Sequence, residues 1–186
     1  VHFKEVDFSY CHQSSINLDE AFIYLEDVLF FTLEKSSFHY IVSLGPVVYY
    51  FTSLTSLSES VQKLDHLVVK DVTLANAVLI GSNFIRIEYN YNASQINVSI
   101  SKLDLRDSIF SGNSAIFYFY SGSSFSEDYF YGVTKIVDVN FETVYATYKL
   151  VYLTNTKNVV MERISVEHSG QGRETVYSLV VQHFEA

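Results

Sequence analysis

The sequence predicts an all-β chain, wound as a right-handed parallel β-helix, and three observations carry that prediction. A six-residue pattern of the form apolar–x–Asp–small–x–Phe stands clearest in Leu105-Arg106-Asp107-Ser108-Ile109-Phe110 and returns with variation at 3–8, 25–30, 69–74, 136–141 and 161–166. Its copies begin 22, 44, 36, 31 and 25 residues apart, a variable period of solenoid length in which 44 is twice 22. Further apolar runs at 38–42, 84–89, 116–120, 150–153 and 176–181 follow about 11 to 15 residues after a copy and supply a second strand per rung. No long window holds a 3.6-residue period, so helical architectures fit poorly.

Within the pattern the fourth and sixth positions share one face of a strand, as a period of two requires. Val28/Phe30, Val72/Leu74, Val139/Phe141 and Ile164/Val166 are β-branched or bulky, and such pairs suit a pleated buried surface. The first and fourth positions are three apart, which breaks the alternation and predicts a bend before each strand. An acid occupies that bend in five of six copies: Glu5, Asp27, Asp71, Asp107 and Asp138. A short carboxylate can hydrogen-bond nearby backbone groups there. A rung of this kind cannot bury its own apolar face and must stack on a neighbour. Val28, Phe30, Val72, Leu74, Phe110, Val139, Phe141 and Ile164 are therefore expected in one continuous core. The competing architecture is an antiparallel β-sandwich or jelly roll, which has similar short strands but no reason to repeat a corner carboxylate.

In chain order, residues 1–33 hold two close copies with a polar turn at 11–20, and 34–66 hide a degenerate rung without a corner acid. Gly45-Pro46 marks a turn in that interval, and the Ser/Thr-rich 52–60 reads as a loop. Residues 90–99 carry two sequons, Asn92-Ala93-Ser94 and Asn97-Val98-Ser99, which make Asn92 and Asn97 glycosylation candidates on a projecting loop. The Ser- and Gly-bearing 121–128 reads as an insertion, and Gly170-Gln171-Gly172 as a late turn. One domain spans 1–186, long enough for a substantial core. The strand-like first and last segments predict a piece of a longer chain, or one that associates end to end with its neighbours.

Composition bounds the function. A net charge of −9 argues against nucleic-acid binding, which needs a basic face. No apolar run is long enough for a membrane-spanning helix. Cys11 is the single cysteine, so no internal disulfide can form, and it reads as a small buried side chain.

The stretch Asp107-Ser108-Ile109-Phe110-Ser111-Gly112-Asn113-Ser114-Ala115 resembles repeats of right-handed parallel β-helix proteins of the pectin-lyase-like superfamily. It is similar to the large repeat-bearing surface proteins of ciliates and to polymorphic outer-membrane type proteins. The resemblance implies the fold and an extracellular or cell-surface setting. It also implies a check for the superfamily's chemistry on acidic polysaccharides. The Asn-Thr-Asp, Asp-Asp and Gly-His-Gly with Arg-x-Lys signatures of polygalacturonase-like sites do not occur; His168-Ser169-Gly170-Gln171-Gly172-Arg173 has such residues in another order.

No recognisable catalytic motif is present. His2, His12, His39, His66, His168 and His183 are scattered without metal-ligand spacing, and there is no nucleophile elbow or phosphate loop. The corner acids remain. If stacked about 4.8 Å apart they would repel one another, unless each caps its turn or Ca²⁺ lies between Asp71, Asp107 and Asp138. The first expectation is a non-catalytic structural module of an extracellular or cell-surface filament, coat or adhesin, with no cofactor beyond such Ca²⁺ and with N-linked glycans. The alternatives are a carbohydrate-binding or carbohydrate-active domain that stacks sugars on exposed tyrosines, and an intracellular interaction scaffold with unused sequons.

Overall fold

The computed structural model describes residues 1–17, 20–53, 57–62, 64–89, 96–112, 115–121, 132–154, 158–169 and 180–182. The apolar spacing of each rung dictates its path. Leu67, Val69, Val72, Leu74, Ala77 and Leu79 are all buried, at intervals of two broken twice by an interval of three. The breaks fall on Asp71 and Asn76, both left-handed at φ 54°. One left-handed residue turns the strand and leaves the apolar side chains before and after it on the inside. The third position of all six pattern copies is left-handed, with φ between 46° and 57° at Glu5, Asp27, Asp71, Asp107, Asp138 and Arg163. The predicted bend is therefore present in every copy.

The first rung holds β1 (His2–Lys4), β2 (Asp7–Ser9), β3 (His12–Gln13) and β4 (Ile23–Glu26); the second holds β5 (Phe31–Glu34), β6 (Ser37–His39), β7 (Val42–Ser43) and β8 (Val48–Thr52). A four-residue helix α1 (Glu59–Gln62), which begins in the last two residues of the 52–60 stretch expected as loop, leads into β9 (Asp65–Ala75), β10 (Val78–Ile80) and β11 (Ile85–Tyr89). From here single strands run around the bends: β12 (Asn97–Ser111) with β13 (Ala115–Ser121), β14 (Val133–Ala146) with β15 (Lys149–Thr154), and β16 (Asn158–Glu167) with β17 (Val180–Gln182). Every pairing is parallel. A parallel stack of this topology is a β-solenoid; the sandwich alternative needs antiparallel ladders. Among the described residues no helix is long and apolar enough to cross a membrane.

The described strands lie on four sides. The first joins β1, β5 and the leading parts of β9, β12, β14 and β16. The second begins after the first bend, and the third, with β3, β7 and β10, after the second. These three sides form one sheet, while β4, β8, β11, β13, β15 and β17 form the fourth side as another. Between third and fourth sides the chain turns at Gly81 and Gly112, with φ 66° and 80° and their backbones stacked so closely that a Cβ on Gly112 would lie 3.2 Å from Gly81 N. Phe31, Phe38, Phe84, Phe110, Phe117, Phe119 and Phe141 fill the interior.

Of the eight expected core residues, Val72, Leu74, Phe110, Val139 and Phe141 are buried, and Val28 and Ile164 are half-buried against the core. Phe30 is not in the core. It precedes β5 in the link from fourth to first side, 38 % exposed, with its ring stacked 5.5 Å from His66. The 25–30 copy is also displaced: Leu25 lies in β4 on the fourth side, opposite Tyr50. The bend equivalent to Glu5 in the second rung is Lys35, so the true rung intervals along this bend are 30, 36, 31, 36 and 25 residues.

Candidate functional site

The register stacks the left-handed residues into two columns. Between first and second sides stand Glu5, Lys35, Asp71, Lys102, Asp138 and Arg163. Acid and base alternate at every step, so the predicted column of like charges is replaced by one in which each charge has opposite neighbours. Lys102 Nζ lies 3.7 Å from Asp71 Oδ1. Arg163 grips Asp138 with two N–H groups, one to Oδ1 and one donating to Oδ2 at 3.1 Å. Those bonds hold the Asp138 carboxyl below the usual carboxylate range and raise the Arg163 guanidinium. Between second and third sides stand Tyr10, Tyr40, Asn76, Asp107, Thr143 and His168.

The Ca²⁺ candidates do not converge. Asp71 and Asp138 share a column but flank Lys102, and Asp107 belongs to the other column between Asn76 and Thr143. No cluster of three or more His, Cys, Asp or Glu able to hold a metal occurs among the described residues. Asp27 leaves both columns. It directly follows β4 and accepts from Ser53 of the next rung, the backbone N–H at 2.6 Å and the hydroxyl at 2.8 Å to the other carboxylate oxygen, which lowers its carboxyl. The acid thus binds backbone as expected, but across the stack rather than within its own turn.

A serine after the bend completes the corner chemistry. Ser36, Ser108 and Ser169 directly follow left-handed Lys35, Asp107 and His168 and are buried. Each hydroxyl donates to the carbonyl two residues back, at 2.9, 2.6 and 2.8 Å. Each also accepts the N–H just past the bend of the preceding rung, from Val6, Ala77 and Val144. The bend tilts that N–H out of the strand ladder, and a buried donor without a partner costs about 1–3 kcal/mol. The serine of the next rung satisfies it.

The fourth side carries an outward aromatic column: Tyr24, Tyr49, Arg86, Tyr118 and Tyr152. Tyr118 and Tyr152 stack at 5.0 Å and 17°. Arg86 lies 4.7 Å from the centroid of Tyr118 and is ion-paired to Glu88, which also accepts from the Tyr49 hydroxyl at 2.9 Å. Lys149 Nζ sits 4.4 Å from both the Tyr148 and Tyr152 rings. Burial, followed by the Glu88 charge, pushes the Tyr49 phenol far up. Tyr118 faces Arg86 and Tyr152 on the rungs to either side, while the Arg86–Glu88 pair and the Lys149 contacts with Tyr148 and Tyr152 lie within single rungs.

The third side is different. His12, Val42, Val78, Ile109 and Tyr145 align on its outer surface, and Val42, Ile80, Ile109 and Tyr145 are each 40–48 % exposed. They make a stripe that is aliphatic apart from Tyr145 at one end and His12 at the other.

Asn97 is buried, not on a projecting loop. Its Nδ2 donates to Leu64 O at 3.0 Å, its Oδ1 accepts from Val133 N at 2.9 Å, and its own N–H donates to His66 Nδ1 at 3.1 Å. The side chain ties three rungs together, and the nitrogen that a sugar would occupy is already committed. Asn92 lies outside the described residues, as do 170–173. His66 is buried and stacked on Phe30; burial lowers its imidazole, with the Asp65 charge opposing. Cys11 is half-buried against the core rim, its Sγ 3.5 Å from Ser9 O.

Stacked aromatics are what so many Tyr and Phe in a β-rich chain imply, whereas Lys35, Lys102 and the corner serines escaped the sequence pattern. Lys102 was findable, because Ile100, Leu103 and Leu105 repeat the apolar spacing around it. Demanding an acid in the third position hid it. No family model matches the chain, and no curated protein matches it.

Proposed function

We propose that this chain is a non-catalytic structural module of an extracellular or cell-surface assembly such as a filament, coat or adhesin, related to the pectin-lyase-like repeat proteins that its best repeat resembles. The observation that carries the reading is the apolar stripe on the third side, through Val42, Ile80, Ile109 and Tyr145. Exposed β-branched side chains in register along a rigid face mark an interaction surface. A flat face of the same strand spacing, as another solenoid offers, fits it. Analytical ultracentrifugation and electron microscopy of the native chain test this. Self-association that Ile109→Glu abolishes while circular dichroism stays unchanged supports it; a wild type as monodisperse as the variant overturns it. In the same reading Asn92 is the glycan acceptor, checked by mass spectrometry of native material.

A second reading, carbohydrate binding, is favoured by Tyr24 and Tyr120 on the fourth side, 38 % and 39 % exposed. A sugar needs an open ring face; Tyr118 and Tyr152 turn theirs to each other, and Tyr120 stacks loosely on Tyr118 at 6.4 Å, which leaves its other face open. Binding of neutral or acidic polysaccharides that Tyr120→Ala removes would favour this reading over the structural one.

A further inference from the structure

Tyr10 and Tyr40 open the second corner column, both at φ 56°. Left-handed backbone is sterically unfavourable for a residue with a Cβ, and tyrosine has no short polar group to bond the local backbone as Asn and Asp do. Two consecutive rungs nonetheless place tyrosine there. The register Ser9↔His39 and the bond from Tyr10 N to His39 O at 3.0 Å set one residue above the other. The rings stack with centroids 4.7 Å apart and planes 9° from parallel. They are at the same time 79 % and 49 % exposed. Among the described residues the other tyrosine pairs lack this combination: Tyr24–Tyr49 and Tyr148–Tyr152 are tilted by 49° and 44°, Tyr118–Tyr120 lie 6.4 Å apart within one strand, and Tyr118 and Tyr152 are half-buried within a column of neighbours.

We propose that Tyr10 and Tyr40 form a modification site, an oxidative dityrosine link that staples the first rung to the second, made by hydrogen peroxide through a haem peroxidase. Each phenol gives up one electron and its hydroxyl proton to become a phenoxyl radical, whose spin lies partly on the Cε carbon beside the oxygen. A Cε of one ring and a Cε of the other form the new carbon–carbon bond. The hydrogens on those two carbons then move to the oxygens and restore two phenols. In balance the protein loses two hydrogen atoms and one hydrogen peroxide is reduced to two waters. The stack keeps the rings together during the short life of the radicals. Their exposure lets an external peroxidase generate those radicals and gives the rings room to roll from face-to-face to edge-linked. Because the bond joins side chains of one chain, it needs no second copy and stands apart from the assembly reading above.

The test treats the full chain, folded and dilute, with horseradish peroxidase and hydrogen peroxide. Dityrosine fluorescence is read without tryptophan background, since the chain has none. The expected product is a monomer lighter by two hydrogens that yields a linked peptide pair containing Tyr10 and Tyr40. Tyr10→Phe keeps the ring and the stack but cannot form a phenoxyl radical, so that linked pair should be lost while circular dichroism is unchanged. Repeating the reaction in urea should also remove the preference, because the remaining tyrosines then compete on equal terms. Absence of the Tyr10–Tyr40 link from folded wild type while other links form overturns the proposal, as does an equal yield of that link in urea.

Discussion

Two columns of left-handed residues run along this solenoid on the same backbone, and their side chains differ throughout. The first alternates acid and base from Glu5 to Arg163; the second mixes Tyr10, Tyr40, Asn76, Asp107, Thr143 and His168. Of the twelve, Asp71, Asn76, Asp107, Asp138 and His168 are residue types enriched in left-handed backbone, and the other seven are not. The bend is therefore imposed by what lies on either side of it: the buried residue before, the buried residue after, and the serine that takes up the displaced N–H. The outward side chain is left to suit its neighbour one rung away.

If that division holds, changes inside the bend should far outweigh changes on it. Phe141, fully enclosed between the two bends of its rung, should cost about 3–5 kcal/mol on replacement by Ala, read as a lowered denaturant midpoint. An effect no larger than that of an outward residue would break the comparison at its root. Next comes the serine. Ser108→Ala leaves Ala77 N–H buried without its acceptor and should destabilise by about 1–3 kcal/mol, with faster amide exchange at Ala77 as the local signature.

The link from fourth to first side offers a pH-dependent counterpart. Burial holds the folded His66 imidazole below its ordinary value, so over that window the unfolded chain binds more protons. The neutral ring's contribution is then present above the ordinary histidine value and is lost as pH falls through the lowered folded one. Urea unfolding between neutral and mildly acidic pH should show that decline, and His66→Gln should flatten it. Thr143 probes the second column from the opposite direction. A β-branched residue is poorly suited to left-handed backbone, so Thr143→Asn should raise stability by about 0.5–1 kcal/mol, seen as a higher midpoint.

The same division explains what could be read from the residues. The interval of three between buried positions is a covalent consequence of the bend, so it is visible wherever both flanking residues are apolar, as at Val69/Val72 and Ile136/Val139. It vanished at Leu33-Glu34-Lys35-Ser36, where the residue after the bend is a buried serine, and the second rung was displaced with it. The 25–30 copy misled because alternation looks alike on all four sides, and nothing in Leu25-Glu26-Asp27 says which sheet receives it. Asn97 matched a sequon while serving as a three-rung tie, since the triplet specifies neither burial nor the partners Leu64 and Val133. The alternating charge was unreadable for a plainer reason: it exists only in the register between rungs.

The smallest effect is the sharpest test of what the first column contributes. Lys102 stands between Asp71 and Asp138, its side chain 59 % exposed and its nearest carboxylate oxygen 3.7 Å away. An exposed pair of this kind is worth about 0.2–1 kcal/mol at low ionic strength. Lys102→Met should therefore cost no more than that, and the loss should shrink as salt is added, because screening already weakens the same attractions in the wild type. Lys102→Glu sets three carboxylates in consecutive rungs and should cost more, again with the excess removed by salt. If the column instead defined the bend, both variants would lose several times as much and salt would not restore them. The salt dependence of Lys102→Glu thus separates a charge that decorates the bend from one that builds it.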